Sequence, residues 1–291
     1  MPKRIFIYLN EMFPITAILG SIVSAIAVQL VYLRLYDVRP GWGLPLFLPA
    51  LVLTFISLLI RIMDEFKDYE DDLINFPTRP LPSGKVRKTD LMALGIFCII
   101  MVIFLSSTSM PLLIWSLITL FFTFLMLKWF FVEYMMRKSL PLAFITHHPI
   151  VIFNFVYLII ACVQLDARVG WGKWGYVIPL CLIYTNWEVM RKIRAPDKET
   201  SYTTYSKIMG ASPAIILALV IQFIFNFAVM NIFFKLGTPW FVRIVFLLVQ
   251  FALMYPSIKF LITLKLKTPL KPNAEGQILV VVGFLLAAAL L

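Results

Sequence analysis

Charge is scarce in this sequence, and negative charge is scarcest. Only 14% of the 291 residues are charged, with 15 Asp and Glu against 26 Lys and Arg. A soluble domain carries about a quarter of its residues charged. Cysteine is limited to Cys98, Cys162 and Cys181, each alone in an apolar run. With no CxxC pair and no metal spacing, they read as small buried hydrophobes. Histidine occurs only as His147-His148, followed by Pro149, with no carboxylate at ligand spacing. Helix-end packing is the expectation there, and a proton-acceptor or acceptor-binding role the alternative. The first apolar stretch lacks an A-x-A-like site and is long enough to span a membrane, so no cleavable leader is expected. RNA-binding motifs and long basic arms are also missing. The net charge of +11 is therefore not read as a nucleic-acid footprint.

What fills the chain instead is apolar surface: 61% of residues are hydrophobic and the mean hydropathy is +0.91. No soluble core of this size needs so much, so lipid is the expected solvent. Apolar runs lie near 13–33, 44–62, 90–108, 111–131, 141–163, 174–190, 211–234, 239–262 and 275–291. Each is long enough to cross about 30 Å of hydrocarbon as a helix. The stretch 90–131 is split at Ser106-Ser107-Thr108-Ser109 because it is too long for one span. The expected architecture is one all-α membrane domain, 1–291, of about nine transmembrane helices. Cations set its orientation. With a cytoplasmic N-terminus beside Lys3 and Arg4, the loops after the even-numbered runs hold Arg79, Lys85, Arg87 and Lys88, then Arg137 and Lys138, then Arg191, Lys192, Arg194, Lys198 and Lys207, then Lys265, Lys267 and Lys271. The opposite loops hold only Arg34, Arg39, Arg168, Lys173 and Lys235.

Against that pattern, six of the fifteen carboxylates fall between Asp64 and Asp72, at the cytoplasmic end of the second run. If the helix continues, Asp64, Asp68 and Asp72 share one face at i, i+4, i+8, with Glu65 beside them. Like charges so close need a counter-charge. Magnesium suits the position, because it takes oxygen ligands and keeps water and phosphate in its shell. A solvated acidic loop that merely ends a helix is the plainer alternative. The stiff segment Asn75–Lys85 follows, rich in proline, and its Arg79 and Lys85 are placed to meet a diphosphate. Arg61 and Lys67 flank the acids. A second polar segment after the sixth run carries Glu188, Arg191, Lys192, Arg194, Asp197 and Glu199, then Tyr205, Ser206, Lys207 and Gly210. Arg grips phosphate oxygens with two bonds and Lys adds a point charge. The segments 64–89 and 191–210 are thus the expected active-site loops.

At these two places the chain resembles the UbiA superfamily of intramembrane prenyltransferases. That family has nine helices and two aspartate-rich motifs, at the ends of helices 2 and 6. Its first motif, N-D-x-x-D-x-x-x-D, stands here as Asp64-Glu65-x-x-Asp68-x-x-x-Asp72. Its P-x-R-P-L-P-x-G continuation stands as Pro77–Gly84. The second motif, D-x-x-x-D, ends thirteen residues before a glycine, which from Gly210 gives Asp197 and puts Ile193 at the first aspartate. Isoleucine cannot bind metal, and Glu188 and Glu199 are the possible substitutes. The string from Arg191 to Glu199 resembles a bacterial branch of the family.

The resemblance implies a helical bundle with a central cavity opening near the cytoplasmic side. It implies Mg2+ held by Asp64, Glu65, Asp68 and Asp72, with Asp197 and Glu199 for a second ion. It further implies an isoprenoid diphosphate gripped by Arg61, Lys67, Arg79, Lys85, Glu188, Arg191, Lys192, Arg194, Tyr205 and Lys207. Asp64, Asp68, Asp72 and Lys192 would be the catalytic set. Prenyl transfer to a small aromatic or quinone-precursor acceptor is the first reading. A terpene cyclase working without acceptor is the second, kept open by the altered second motif. A cation transporter is the third, disfavoured because coupling-ion sites lie near the bilayer midplane. The 26 Phe, 11 Tyr and 7 Trp suit a cavity for an allylic cation, although most are expected against lipid or other helices. Asn154, Gln222 and Gln250 are read as interhelical hydrogen-bonding groups, Glu133 and Arg137 as an i,i+4 pair, and Asn10-Glu11 as without a role.

Overall fold

The computed structural model describes residues 1–38, 43–165, 174–200, 203–266 and 268–291. Arg39, Arg168, Lys173 and Lys267 of the charge pattern lie outside them. Among the described residues regular structure is helical throughout. The chain opens with α1 (Pro2–Met12) and α2 (Ile15–Arg34), then α3 (Leu44–Lys67) and α4 (Tyr69–Asn75). Next come α5 (Lys88–Ser106), α6 (Met110–Leu127), α7 (Glu133–Lys138), α8 (Leu140–His147) and α9 (Pro149–Leu165). Then follow α10 (Trp174–Val177), α11 (Leu182–Met190), α12 (Tyr205–Met209), α13 (Ala211–Lys235), α14 (Trp240–Thr263) and α15 (Lys271–Leu290).

Among the described residues eight spans are long and apolar enough to cross a membrane, α8 and α9 counting as one stretch, Leu140–Leu165. They match eight of the nine expected runs within a few residues. The run near 174–190 differs. It is helical in three short pieces, α10, a 3-10 turn at Ile178–Cys181, and α11. The three pieces are contiguous, the 3-10 turn falling around Pro179, which supplies no backbone donor. The break at 106–109 falls as expected, between α5 and α6.

Packing divides the chain into two compact units. The first comprises Met1–Gln29, Pro40–Lys138 and Val156–Ala167, and the second Leu30–Arg39, Ser139–Phe155 and Arg168–Leu291. In the first, α3 packs on α5 and α6. Leu58, Leu59, Ile62, Leu91, Leu94 and Cys98 form its core, with Tyr8 of α1 set among them. Ser106 and Tyr157 hydroxyls meet at 2.9 Å. In the second unit α11, α13, α14 and α15 pack together. The Asn186 side-chain amide donates to Gln277 Oε1 at 2.8 Å and to Met190 Sδ at 3.1 Å, and Gln222 donates to the same sulfur at 3.1 Å. Gln222 thus serves the interhelical role read for it. Each such bond contributes about 0.6 kcal/mol in a bilayer. Large apolar side chains such as Phe104, Phe121, Phe223, Phe227 and Phe251 stay exposed on the spans, as lipid contact requires.

The first unit is closed at one end by α1. Arg4 donates through Nε and a terminal nitrogen to the two Asp90 oxygens, at 2.5 and 2.9 Å. Asp90 is buried and also accepts the Arg87 backbone N–H at 3.1 Å, where α5 begins. Removing only the cation strands a buried carboxylate. Arg4→Met is therefore expected to lower the midpoint of thermal unfolding. Arg4→Met with Asp90→Asn should recover most of that loss, measured as thermal unfolding in detergent.

Candidate active site

The acidic segment lies in the first unit. Helix α3 runs five residues beyond the expected 62 and carries Arg61, Asp64, Glu65 and Lys67 in its last turns. It pauses at Asp68, whose backbone (φ −101°, ψ 11°) departs from the helix. The ladder nevertheless continues, with Asp68 N–H donating to Asp64 O at 2.9 Å and Asp72 N–H to Asp68 O at 2.8 Å. The pause has an electrostatic sense. Acids are disfavoured at a helix C-terminus and favoured at an N-terminus. Restarting as α4 places Glu70, Asp71 and Asp72 in a first turn.

Most of the acids have their own cation. Asp64 lies 3.3 Å from Lys67 Nζ, and Glu65 pairs with Arg61 one turn back. Asp71 pairs with Arg137 of α7 at 2.6 Å, and the expected Glu133–Arg137 pair forms at 2.7 Å. One Arg79 nitrogen donates to both oxygens of the buried Asp72, each at 2.7 Å, while its guanidinium lies 3.9 Å above the Phe76 ring. Lys85 instead reaches Glu11 at 2.9 Å, giving that residue the role the sequence did not suggest. Gly84 (φ 76°) ends the proline-rich turn in a conformation that favours glycine.

Glu70 is exposed and solvated, and among the acids away from solvent two positions stay open. The half-buried Asp68 carboxylate has no hydrogen bond or ion pair among the described residues. The Oε2 atom of the buried Glu65, three residues away, also lacks a partner. Burial first, then the charge of Asp64, and further those of Asp72 and Asp71, push the Asp68 carboxyl up to about 6 against the opposing pull of Lys67. Tyr8 comes within the field of Glu65 and is wholly buried. Burial and that charge hold its phenol far above the usual range, and its hydroxyl has no partner. Nothing in the sequence marks Tyr8 or Arg137 as the Asp71 partner, whereas the i,i+4 spacing of Arg61 and Glu65 is a signal that could have shown their pair.

Beside the acids lies a strained turn. Trp129, Phe130 and Phe131 have φ of 49°, 49° and 62°. Left-handed backbone costs a non-glycine residue roughly 1–2 kcal/mol. The indole of Trp129 meets Lys67 Nζ at 4.5 Å and Arg137 Cζ at 5.1 Å.

The second polar segment belongs to the second unit. Glu188 accepts from Arg191 Nε at 2.5 Å and lies 3.0 Å from Lys192 Nζ. Arg194 donates to Thr200 Oγ1 at 2.7 Å, and its backbone N–H to Ser206 Oγ at 2.8 Å. Glu199 accepts the hydroxyls of Thr204 at 2.8 Å and Ser206 at 2.5 Å. Lys207 Nζ donates to Thr200 O at 2.8 Å, and Tyr205 N–H to Lys192 O at 3.0 Å. The Tyr205 ring stands edge-on to Phe144 at 6.2 Å. Asp197 is exposed on an open cleft of about 510 Å³ with Lys198, Lys265 and Leu266. Asp197 and Glu199 belong to no group of three potential metal ligands among the described residues, and Ile193 is buried. Gly210 (φ 90°) joins α12 to α13, again where a side chain would be strained. His148 Nε2 meets Thr185 Oγ1 at 2.5 Å and its ring stacks on Phe144 at 4.6 Å, the packing role expected.

Known proteins were compared with the chain. A UbiA homolog from Aeropyrum pernix K1, solved in the apo state, superposes with a TM-score of 0.72 over 94% of this chain and 99% of that one, at 13% identity. The chain has the UbiA fold. A digeranylgeranylglyceryl phosphate synthase also matches, with a TM-score of 0.53, 19% identity, and coverage of 99% and 97%. No family model and no curated sequence matches.

Among the described residues no three Asp, Glu, His or Cys side chains converge on a metal position. The donors that are open, Asp68 and Glu65 Oε2, are hard oxygens on adjacent turns. That fits magnesium, which is bound by one or two carboxylates and completes its shell with water and phosphate. Asp68 gives a stability test. Its carboxyl is raised from 3.8 to about 6, so charging it opposes folding. The cost is absent below about pH 4 and fully present above about pH 6. At pH 7.5 without divalent ions, Asp68→Asn should raise stability by about 1–2 kcal/mol, after discounting for partial exposure. The gain should vanish near pH 4 in thermal unfolding.

Proposed function

We propose that the protein binds an allylic isoprenoid diphosphate with magnesium and transfers its prenyl group to a small aromatic or quinone-precursor acceptor, releasing diphosphate. The observation that carries this reading is the unpaired, half-buried Asp68 carboxylate, three residues along the chain from the unpaired Glu65 oxygen, in a segment where Asp64, Asp71 and Asp72 each have a cation. A segment built only to end a helix would leave no buried acid open. The UbiA fold supports the same reading, since one protein that shares it is a digeranylgeranylglyceryl phosphate synthase.

In this reading Asp68 and Glu65 hold the ion, and Asp64 and Asp72 complete the acidic wall. Magnesium, when bound, neutralises the diphosphate and makes it a better leaving group. Arg79, Arg61 and Lys67 are assigned to the charge that develops on the departing oxygens. Lys85 is assigned to the same substrate; in the second unit Arg191, Lys192 and Arg194, with Glu188, Tyr205 and Lys207, are proposed, on the family resemblance, as a phosphate-binding segment of their own. Apolar walls exclude water, which would quench an allylic cation. The C1–O bond breaks with its electron pair leaving on diphosphate, the acceptor ring carbon forms the new bond to the prenyl carbon, and that ring carbon then loses its proton to the released diphosphate or to water. The acidic segment is assigned to the cytoplasmic face, from the cation bias of the loops.

The test uses purified full-length protein given geranyl, farnesyl and geranylgeranyl diphosphates, with and without phenolic acceptors. Products are read by mass spectrometry. Magnesium-dependent diphosphate release with a prenylated acceptor is expected. Hydrocarbon or alcohol formed without acceptor would replace transfer by cyclisation, and no release from any diphosphate would sink both. Asp68→Ala is expected to lower release at least about 100-fold while remaining folded and extractable.

A further inference from the structure

We propose that Trp129 is a positioning residue for the acidic segment, its indole holding Lys67 on Asp64 and away from Asp68, so that Asp68 stays open for the ion. This inference rests on the diphosphate reading above.

The backbone is the first observation. Three consecutive aromatic residues, Trp129 to Phe131, are left-handed, and none is glycine. Such strain persists only where the surroundings over-determine it, and it clusters at functional sites. What the turn achieves is the placement of one indole against cations from two elements. Lys67 Nζ of α3 lies 4.5 Å from the ring centre, and Arg137 Cζ of α7 lies 5.1 Å from it. Both cations hold acids of the same segment, Asp64 at 3.3 Å and Asp71 at 2.6 Å. Arg137 also donates to the Lys67 carbonyl at 3.5 Å.

Lys67 is the critical partner. It directly precedes Asp68, and its charge already acts on that carboxylate. An ammonium on a four-carbon stem is a mobile point charge. Left loose, it would be drawn to an unpaired, half-buried carboxylate and would compete with a divalent ion there. Its side chain is only 10% exposed and sits between the indole and Asp64. The ring face attracts the ammonium electrostatically, so the indole favours one of the two carboxylates open to Lys67.

The experiment measures Mn2+ binding by electron paramagnetic resonance on full-length protein in nanodiscs, with inorganic diphosphate and no prenyl substrate. Trp129→Leu should raise the half-saturating Mn2+ concentration roughly five-fold, and Trp129→Phe less than about two-fold, because a ring face remains. Adding Lys67→Met to Trp129→Leu should restore the value of Lys67→Met alone, which a merely structural role would not do. Fluorinated tryptophans at 129 keep the shape and weaken the ring face, so they serve even where Trp129→Leu does not fold. Half-saturation should rise with each added fluorine. Unchanged Mn2+ affinity in Trp129→Leu, no rescue by Lys67→Met, or no trend with fluorine would overturn the proposal. If the native protein itself binds no Mn2+, the diphosphate reading fails and the inference with it, a result distinct from equal binding by native and variant.

Discussion

Mutual repulsion among the carboxylates at the end of α3 is the constraint around which the first unit is organised. Two unit charges about 4 Å apart interact by about 1 kcal/mol in water and by several times that near a protein surface. Six acids within nine residues could not stand on an uninterrupted helix without relief. The relief comes from several parts of the chain. The helical dihedrals lapse at Asp68, so that three acids stand in the first turn of a new helix. Arg61 and Lys67 come from the same helix, Arg79 from the proline-rich turn, and Arg137 from α7. The turn at 129–131 is strained in the service of two of these cations.

The rest of the chain obeys a different solvent. Its spans keep Phe, Leu and Ile on their outer faces because lipid makes no demand for polar cover. Their buried polar atoms are turned toward neighbouring helices, as with Asn186, Gln222 and Gln277 around Met190. Such constraints fix helix number and length far more tightly than side-chain identity. A TM-score of 0.72 at 13% identity is the consequence, the same bundle built from largely different residues.

The sequence made the spans and the acidic register legible, since both are periodic signals carried by consecutive residues. Asp64, Asp68 and Asp72 do follow one ladder, and Arg79 does lie against the acids. The partners from elsewhere were not legible. Tyr8 reaches the Glu65 field from α1, and Arg137 reaches Asp71 across 66 positions. Neither pairing has a local pattern. The run at 174–190 is helical as expected, but a 3-10 turn around Pro179 divides it into short pieces that its continuous hydropathy does not show. Asp197 and Glu199 have ligand-like spacing, yet Glu199 is taken by Thr204 and Ser206 while Asp197 faces an open cleft.

The open carboxylate is not a shortage of cations. The chain has 26 Lys and Arg, and several lie close in sequence to the acids. Lys85 is spent on an exposed Glu11, and Lys88 lies 3.8 Å above the Tyr69 ring. A protein selected only for stability would place one of these on Asp68, because a half-buried charge without a partner opposes folding. Instead Lys67, the cation whose charge acts on Asp68, is held on Asp64 by helical spacing and against Trp129 by a strained turn, while Arg61 and Arg79 stay on Glu65 and Asp72. Energy is thus given up twice, in an unpaired acid and in a left-handed backbone, at one place. An unpaired acid and a left-handed turn in one segment are local inconsistencies of the kind expected where function rather than stability sets the residues.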